Sequence, residues 1–195
     1  IVSDAQPTLL FSIKEFEGRD FHEELKRLYA EFDCVTGIIL FGKSAANEPH
    51  TFEQFLATSH TCDAAIFDNV VKAVSPQAPA LIVYTSGSTG KPKGALLNHQ
   101  SIIASACTQC EYWYPQPLRL LNNLPINHLG GAVQMTAYAL VAGGTNVLME
   151  RFVAKATLAL IAVEKITVIH QTPTMYQLIL DNDTPGQHDL ACLQV

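Results

Sequence analysis

Between Gly94 and Met149 the chain runs for 56 residues with only two charged side chains, Glu111 and Arg119. A segment this poor in charge lies either in a membrane or almost wholly inside protein. A membrane-spanning helix needs roughly 18 or more consecutive apolar residues, and no run reaches that length. The best candidate, Ala132 to Met149, is broken by Gln134, Thr136, Gly143, Gly144, Thr145 and Asn146. No transmembrane segment is expected, so this part of the chain must face inward.

The rest of the composition agrees. The 195 residues suffice for one domain or two small ones with a real core. Hydrophobic residues make up 48% and charged residues 15%, which excludes a disordered chain. The net charge of −6 excludes a strongly basic nucleic-acid binder, so no nucleic-acid partner is expected. Residues 1–80 carry 6 Lys/Arg against 12 Asp/Glu, whereas residues 81–195 carry 6 of each. The opening residues, Ile1 to Pro7, have neither the basic region nor the apolar stretch of a signal peptide. They also lack an initiator Met, so a processed or cut chain is expected. Five widely spread cysteines (Cys34, Cys62, Cys107, Cys110 and Cys192) suit reduced thiols in a cytoplasmic protein better than a disulfide framework. Cys107 and Cys110 have CxxC spacing, but no second pair completes a zinc site and both fall inside a helical pattern. No metal site is expected there.

The pattern alternates between short β-rich runs and helices. Residues 7–13, 35–41, 80–85, 118–124, 145–149 and 167–171 read as strands. A helix capped by Asp20 carries Phe21, Leu25, Leu28, Tyr29 and Phe32 at helical spacing. Further helices are expected from Thr51, over about 98–113, through Val141, over 154–165 and from Pro173 to Leu180. Gly143-Gly144 is expected to end the helix through Val141 as a C-terminal cap. This alternation predicts an α/β fold with mostly parallel sheets covered by helices. A proline-bearing linker, Ser75-Pro-Gln-Ala-Pro79, coincides with the change in charge balance. The expected organisation is an α/β portion over 1–75, a linker at 76–80, and a second α/β portion over 81–195.

The most informative stretch is Tyr84-Thr-Ser-Gly-Ser-Thr-Gly-Lys-Pro-Lys-Gly94. It is expected to lie between a strand and a helix. Its three glycines let backbone N–H groups close on an anion, its hydroxyls add donors, and its two lysines neutralise charge. A triphosphate requires that combination. A Walker loop is excluded twice: Thr85 takes the first glycine position, and Pro92 stands where the magnesium-binding hydroxyl belongs. The Rossmann and kinase glycine patterns fail because Gly87 and Gly90 are three apart.

Residues 84–94 resemble, at every position, the signature loop of the acyl-adenylate-forming superfamily, which includes acyl-CoA synthetases, luciferases and peptide-synthetase adenylation domains. Asn98-His99 resembles the Thr-His that follows in that family. Leu124-Pro-Ile-Asn-His128-Leu-Gly-Gly131 is similar to the LP-x-x-H-x-x-G segment of acyl-CoA synthetases. Gly143-Gly-Thr145 with Arg151-Phe152, Lys165-Ile-Thr-Val168, and Thr172-Pro-Thr-Met175 resemble further family elements. The absence of a Phe-Asp element near His128 favours a CoA ligase over a peptide-synthetase domain.

The resemblance implies a fragment of the large N-terminal domain of an ATP-dependent acyl-CoA synthetase acting on a fatty or other apolar carboxylic acid. ATP, Mg²⁺ and coenzyme A are the implied substrates and ion. Thr85, Ser86, Gly87, Ser88, Thr89, Gly90, Lys91 and Lys93 are implied to hold the ATP phosphates and departing pyrophosphate. His128 is implied to sit at the acyl or adenylate pocket. No catalytic residue is assigned within the chain. Its partners are the missing N- and C-terminal parts of the same enzyme, and a homo-oligomer or peripheral membrane association is compatible with the sequence. The alternatives are an amino-acid or aryl-acid adenylating branch, or a truncated non-catalytic nucleotide-binding module. His99, His170, Tyr176 and Met175 read as structural, and Trp113 as an anchor at a helix end.

Overall fold

The computed structural model describes residues 1–42, 50–86, 90–113, 117–183 and 187–195. They form two compact units, residues 1–74 with 84–94 and residues 75–83 with 95–195.

The first unit opens with one helical turn, α1 (Val2–Ala5), and strand β1 (Leu9–Ile13). A small antiparallel hairpin follows, β2 (Glu15–Phe16) with β3 (Arg19–Asp20). Helix α2 (His22–Glu31) starts one residue later than expected. Phe21 stands at the cap, yet the Asp20 carboxylate still accepts the His22 N–H at 2.7 Å and so satisfies a first-turn donor. Strand β4 (Gly37–Phe41) pairs in parallel with β1 and with β5 (His50–Thr51). Alternation along the strands sorts the side chains. Ile38 and Leu40 join Leu10 and Leu25 under α2. Phe11 and Phe41 point the other way, their rings 5.5 and 4.7 Å from Phe55 and Phe52 of α3 (Phe52–Ala57). Thr51 and Gln54 form a reciprocal capping box at the start of α3. A 3₁₀ turn over 58–61 leads to α4 (Ala64–Ala73), whose N-terminus is capped by Asp63. Sequence reading missed α4. None of its residues is buried, and its β-branched Ile66, Val70 and Val71 weaken its propensity signal.

Strands β6 (Pro79–Ser86) and β7 (Pro92–Asn98) pair with each other. The expectation that the glycine-rich loop leads straight to a helix is therefore corrected: the loop joins two paired strands. Pro92 is compatible with this because a proline at the first position of a strand removes no ladder donor from its interior.

In the second unit α5 (His99–Tyr112) begins after Asn98, whose side chain accepts the Ser101 N–H at 2.8 Å. Strands β8 (Arg119–Asn122), β9 (Thr145–Leu148) and β10 (Val168–Ile169) form a parallel sheet in the order β10-β8-β9. A π-helix over 130–137 continuing into α6 (Tyr138–Val141) connects β8 to β9, and α7 (Ala154–Glu164) connects β9 to β10. Helix α8 (Pro173–Asn182) closes the series, with Pro173 in its first turn and Thr172 as cap. Leu120 and Val168 pack with Leu118, Met135, Tyr138 and Ala139, while Leu121 and Ile169 pack with Ile161 and Ile166. Adjacent strand residues thus feed opposite layers, and helices cover both faces of a parallel sheet. This is the α/β class expected from the alternating pattern.

Two local devices hold the charge-poor segment in place. Its one cation, Arg119, pairs with Glu164 at 2.9 Å, and its guanidinium also donates to the Glu164 carbonyl. Helix α6 ends in a Schellman motif. Gly143, at φ 63°, donates to Leu140 O, and the Gly144 N–H reaches Ala139 O at 2.8 Å. The π-helix has its own brace. Asn122 Nδ2 donates to Gly131 O and to Thr136 Oγ1, and the Thr136 hydroxyl donates to Gly131 O at 2.8 Å. Gly131 is needed there for space: a Cβ would stand 2.5 Å from Pro125 O and 2.7 Å from Leu124 O, both backbone atoms. At Gly130 the nearest atom is the end of the Leu124 side chain, which can move. Gly131→Ala should therefore lower the urea-unfolding stability by about 1–3 kcal/mol, and Gly130→Ala by much less. Equal effects of the two would refute the close-approach account.

Candidate functional site

The residues implied to bind phosphate lie on and around the β6–β7 connection. Thr85 and Ser86 end β6, and both are exposed. Gly87, Ser88 and Thr89 fall outside the described residues. Gly90 has a φ of 77°, a conformation that favours glycine, with open space where a side chain would stand. Lys91 follows it, and Lys93 lies in β7. Both lysines are exposed, and neither forms an ion pair among the described residues. Two exposed cations beside a positive-φ glycine, with the hydroxyls of Thr85 and Ser86 at the end of β6, are groups suited to a polyanion. At the base of the connection the Tyr84 hydroxyl donates to Asp4 Oδ2 at 2.5 Å. That hydrogen bond to a carboxylate holds the phenol above its ordinary range. Among the described residues no three His, Cys, Asp or Glu side chains cluster as metal ligands.

His128 belongs to the turn that enters the π-helix. Its N–H donates to Pro125 O, its carbonyl accepts from Ala132, and its Nδ1 accepts the Gly130 N–H at 3.1 Å. An acceptor at Nδ1 puts the imidazole proton on Nε2. The residue is exposed, so Nε2–H is available to a ligand as a donor.

The second unit also contains a cleft of about 640 Å³ that sequence reading did not assemble. Its walls include Gln109, Tyr112 and Trp113 from the end of α5, His170 and Gln171 after β10, and Tyr176 of α8. His128 is not one of its lining residues. The aromatic groups are held in place. Trp113 meets His170 edge-on with centroids 5.1 Å apart, His170 stacks on the buried Tyr138 ring, and the Tyr176 hydroxyl donates to Ile169 O. Burial pushes the His170 imidazole below its ordinary range and keeps it neutral. Taken singly, Trp113, His170 and Tyr176 read as packing residues. Only the fold brings 105–113, 134, 169–176 and 195 to one cavity, and no local signal marks it. Cys107 and Cys110 lie along α5, and burial chiefly raises the Cys110 thiol, away from thiolate chemistry.

A family model described as "AMP-binding enzyme" matches residues 1–195. Indoleacetate–CoA ligase of Aromatoleum aromaticum is 38% identical over 123 residues, covering 63% of this chain and 24% of that protein. A CoA ligase of Rhodococcus jostii, named for a methyl-dioxo-octahydroindenyl propanoyl substrate, is 30% identical over 200 residues, covering 100% of this chain and 39% of its own. Among solved structures, the luciferase-like enzyme of the mealworm Zophobas morio matches with a TM-score of 0.76 at 20% identity, covering 99% of this chain and 42% of that one. That likeness concerns the fold. The chain thus spans well under half the length of these relatives.

The neutral His170 has a measurable consequence. The unfolded chain takes up a proton at the ordinary histidine pKa, while the folded form does so only at lower pH. Between the two values the unfolded state binds more protons, so stability falls as pH drops through that window and then levels off. His170→Phe keeps a ring and removes the titration. It should flatten the loss of urea midpoint between about pH 7.5 and about pH 5.5. An unchanged slope would assign the loss to other groups.

Proposed function

This chain belongs to the AMP-binding enzyme family, and we propose on that premise that it is part of an ATP-dependent acid–CoA ligase. The observation that carries the reading is the run Tyr84 to Gly94, which combines the polyanion chemistry with the family match. The proposed reaction has two steps. A carboxylate oxygen attacks the α-phosphorus of ATP, the bond to the bridging oxygen breaks, and acyl-AMP and pyrophosphate form. The CoA sulfur then attacks the acyl carbon, and AMP leaves with the bonding pair.

An anion attacking a polyanion is slowed mainly by repulsion, so charge neutralisation and alignment dominate catalysis. Lys91 and Lys93 would neutralise the β- and γ-phosphates, and Thr85, Ser86, Ser88 and Thr89 would donate hydroxyl hydrogen bonds to them. Gly87 and Gly90 would let the backbone close in. Mg²⁺, when bound, would share that phosphate charge; the described residues contribute no ligand cluster for it. His128 would use its Nε2–H to orient the carboxylate or adenylate. The aromatic cleft would take the organic part of an apolar acid. Indoleacetate, in the name of a relative, is an acid of that kind. The five free cysteines fit a reducing cytoplasm. Exposed Ile66, Phe67 and Val70 on α4 are a face that the remainder of such an enzyme, or a second copy, would cover.

The test uses the natural protein that carries this chain, supplied with ATP, CoA and a panel of carboxylic acids. AMP, pyrophosphate and thioester should form in equal amounts with at least one acid. No AMP with any acid would overturn the reading. Lys93→Ala should raise the KM for ATP about tenfold or more, the worth of one charge-assisted contact, and leave the KM for the acid unchanged. Unchanged ATP affinity would remove Lys93 from the site.

A further inference from the structure

We propose that Asn122 and Thr136 are positioning residues for His128: they clamp the Gly130-Gly131 turn, whose N–H fixes the His128 ring with its proton on Nε2. The use of that Nε2–H on an acid or adenylate rests on the ligase reading, whereas the clamp rests on geometry alone.

The ring comes first. His128 is exposed, and among the described residues its ring is held by the Gly130 N–H, which donates to Nδ1 at 3.1 Å. A neutral imidazole in water exchanges between two tautomers, and a donor kept at Nδ1 selects the one protonated on Nε2. That donor lies on the first of two adjacent glycines, the residue type with the greatest backbone freedom. Left to itself, such a pair would hold neither the N–H nor the ring.

The restraint comes from the sheet. Asn122, the last residue of β8, donates from Nδ2 to Gly131 O at 3.2 Å and to Thr136 Oγ1 at 3.1 Å. The Thr136 hydroxyl donates to the same Gly131 O at 2.8 Å and accepts from Asn146 Nδ2 of β9 at 3.4 Å. Two donors on one carbonyl fix the peptide plane that follows Gly131. The backbone closes the other side of the turn: His128 N–H donates to Pro125 O at 3.1 Å, and Ala132 N–H to His128 O at 3.0 Å. The glycine pair is thus held from both ends, and the Gly130 N–H is aimed at the ring.

The third point is what the clamp costs. Asn122 is 1% exposed and follows Leu120 and Leu121, both at 0%. Its Oδ1 is buried without a hydrogen-bond partner among the described residues, and so is Asn146 Oδ1. Asparagine is disfavoured in strands, and a buried acceptor without a partner is unfavourable. An apolar side chain like those before it would avoid both penalties. What it could not supply is the donor on Gly131 O, and rules of local stability give way most often where a site needs a particular geometry.

The experiment uses the natural protein that carries this chain, labelled with ring-15N histidine and observed by NMR at about pH 8, where histidine is neutral. The His128 resonances are identified by their loss in His128→Ala. The wild type should show an unprotonated Nδ1 and a protonated Nε2. In Asn122→Leu and in Thr136→Val the two signals should move towards each other as the tautomers mix, while Thr136→Ser, which keeps the hydroxyl, should retain the wild-type pattern. With an acid that supports AMP release, Asn122→Leu and Thr136→Val should lower kcat/KM for that acid by about tenfold or more and leave the KM for ATP unchanged. In the His128→Ala background they should change it by less than about twofold, because they act through that residue. If Asn122→Leu does not fold, Thr136→Val and Thr136→Ser decide alone. An unchanged His128 tautomer in the variants, or a kinetic loss just as large without His128, overturns the proposal. Mixed tautomers together with a kcat/KM that His128→Ala leaves intact sustain the clamp and remove His128 from the site. No AMP with any acid sinks the ligase reading, and the ring resonances still decide the clamp.

Discussion

Strand β8 must be buried on both faces, and the second unit is arranged to meet that demand. Leu120 and Leu121 are neighbours in sequence, point in opposite directions and are each 0% exposed. One requires the layer built by Met135, Tyr138 and Ala139, the other the layer built by Ile161 and Ile166. A connection with a helix on one side of the sheet cannot serve both. The chain therefore crosses from β8 to β9 over one face and from β9 to β10 over the other. The scarcity of charge between Gly94 and Met149 follows, since a strand enclosed in this way tolerates ions only at its ends. Arg119 sits at such an end and has Glu164 as its counter-ion.

Two chemically opposite surfaces result. Thr85, Ser86, Lys91 and Lys93 around the β6–β7 connection are exposed hydroxyl and cationic groups, while the cleft at the end of α5 is aromatic, with no Asp, Glu, Lys or Arg among its described lining residues. The proposed joining of an organic acid to a nucleotide would call on both kinds of surface. Phosphates must be neutralised by groups that remain hydrated until they bind, and an apolar body must be drawn out of water.

Most of the architecture was legible because its signals are local. Thr51, Asn98 and Thr172 cap helices with their own side chains, and Gly143-Gly144 ends one, so each boundary is set within a few residues. Asp20 was misplaced by one position because its carboxylate reaches past Phe21. Strand β7 was hidden because its pairing with β6 is a tertiary choice that Lys91-Pro92-Lys93-Gly94 does not advertise. The residues proposed to hold phosphate stand out by spacing and residue type. The cleft does not, because residues from four separated stretches line it and its aromatic residues each read singly as packing. A single amide oxygen without a partner, as at Gln109, becomes visible only once burial is known.

The helix over 130–137 carries a constraint on length as well as on identity. Its hydrogen bonds close on the fifth residue back instead of the fourth, so its turn is wider than that of an α-helix. Removing one residue would let it relax to the α form, and that tightening would offset most of the lost rotation, so Met135 and Tyr138 would still cover Leu120. What would go is the wide turn itself, in which Asn122 Nδ2 and the Thr136 hydroxyl both meet Gly131 O. The constraint on length in this stretch is thus local: the additional residue serves the turn's own hydrogen bonds rather than the packing beyond it.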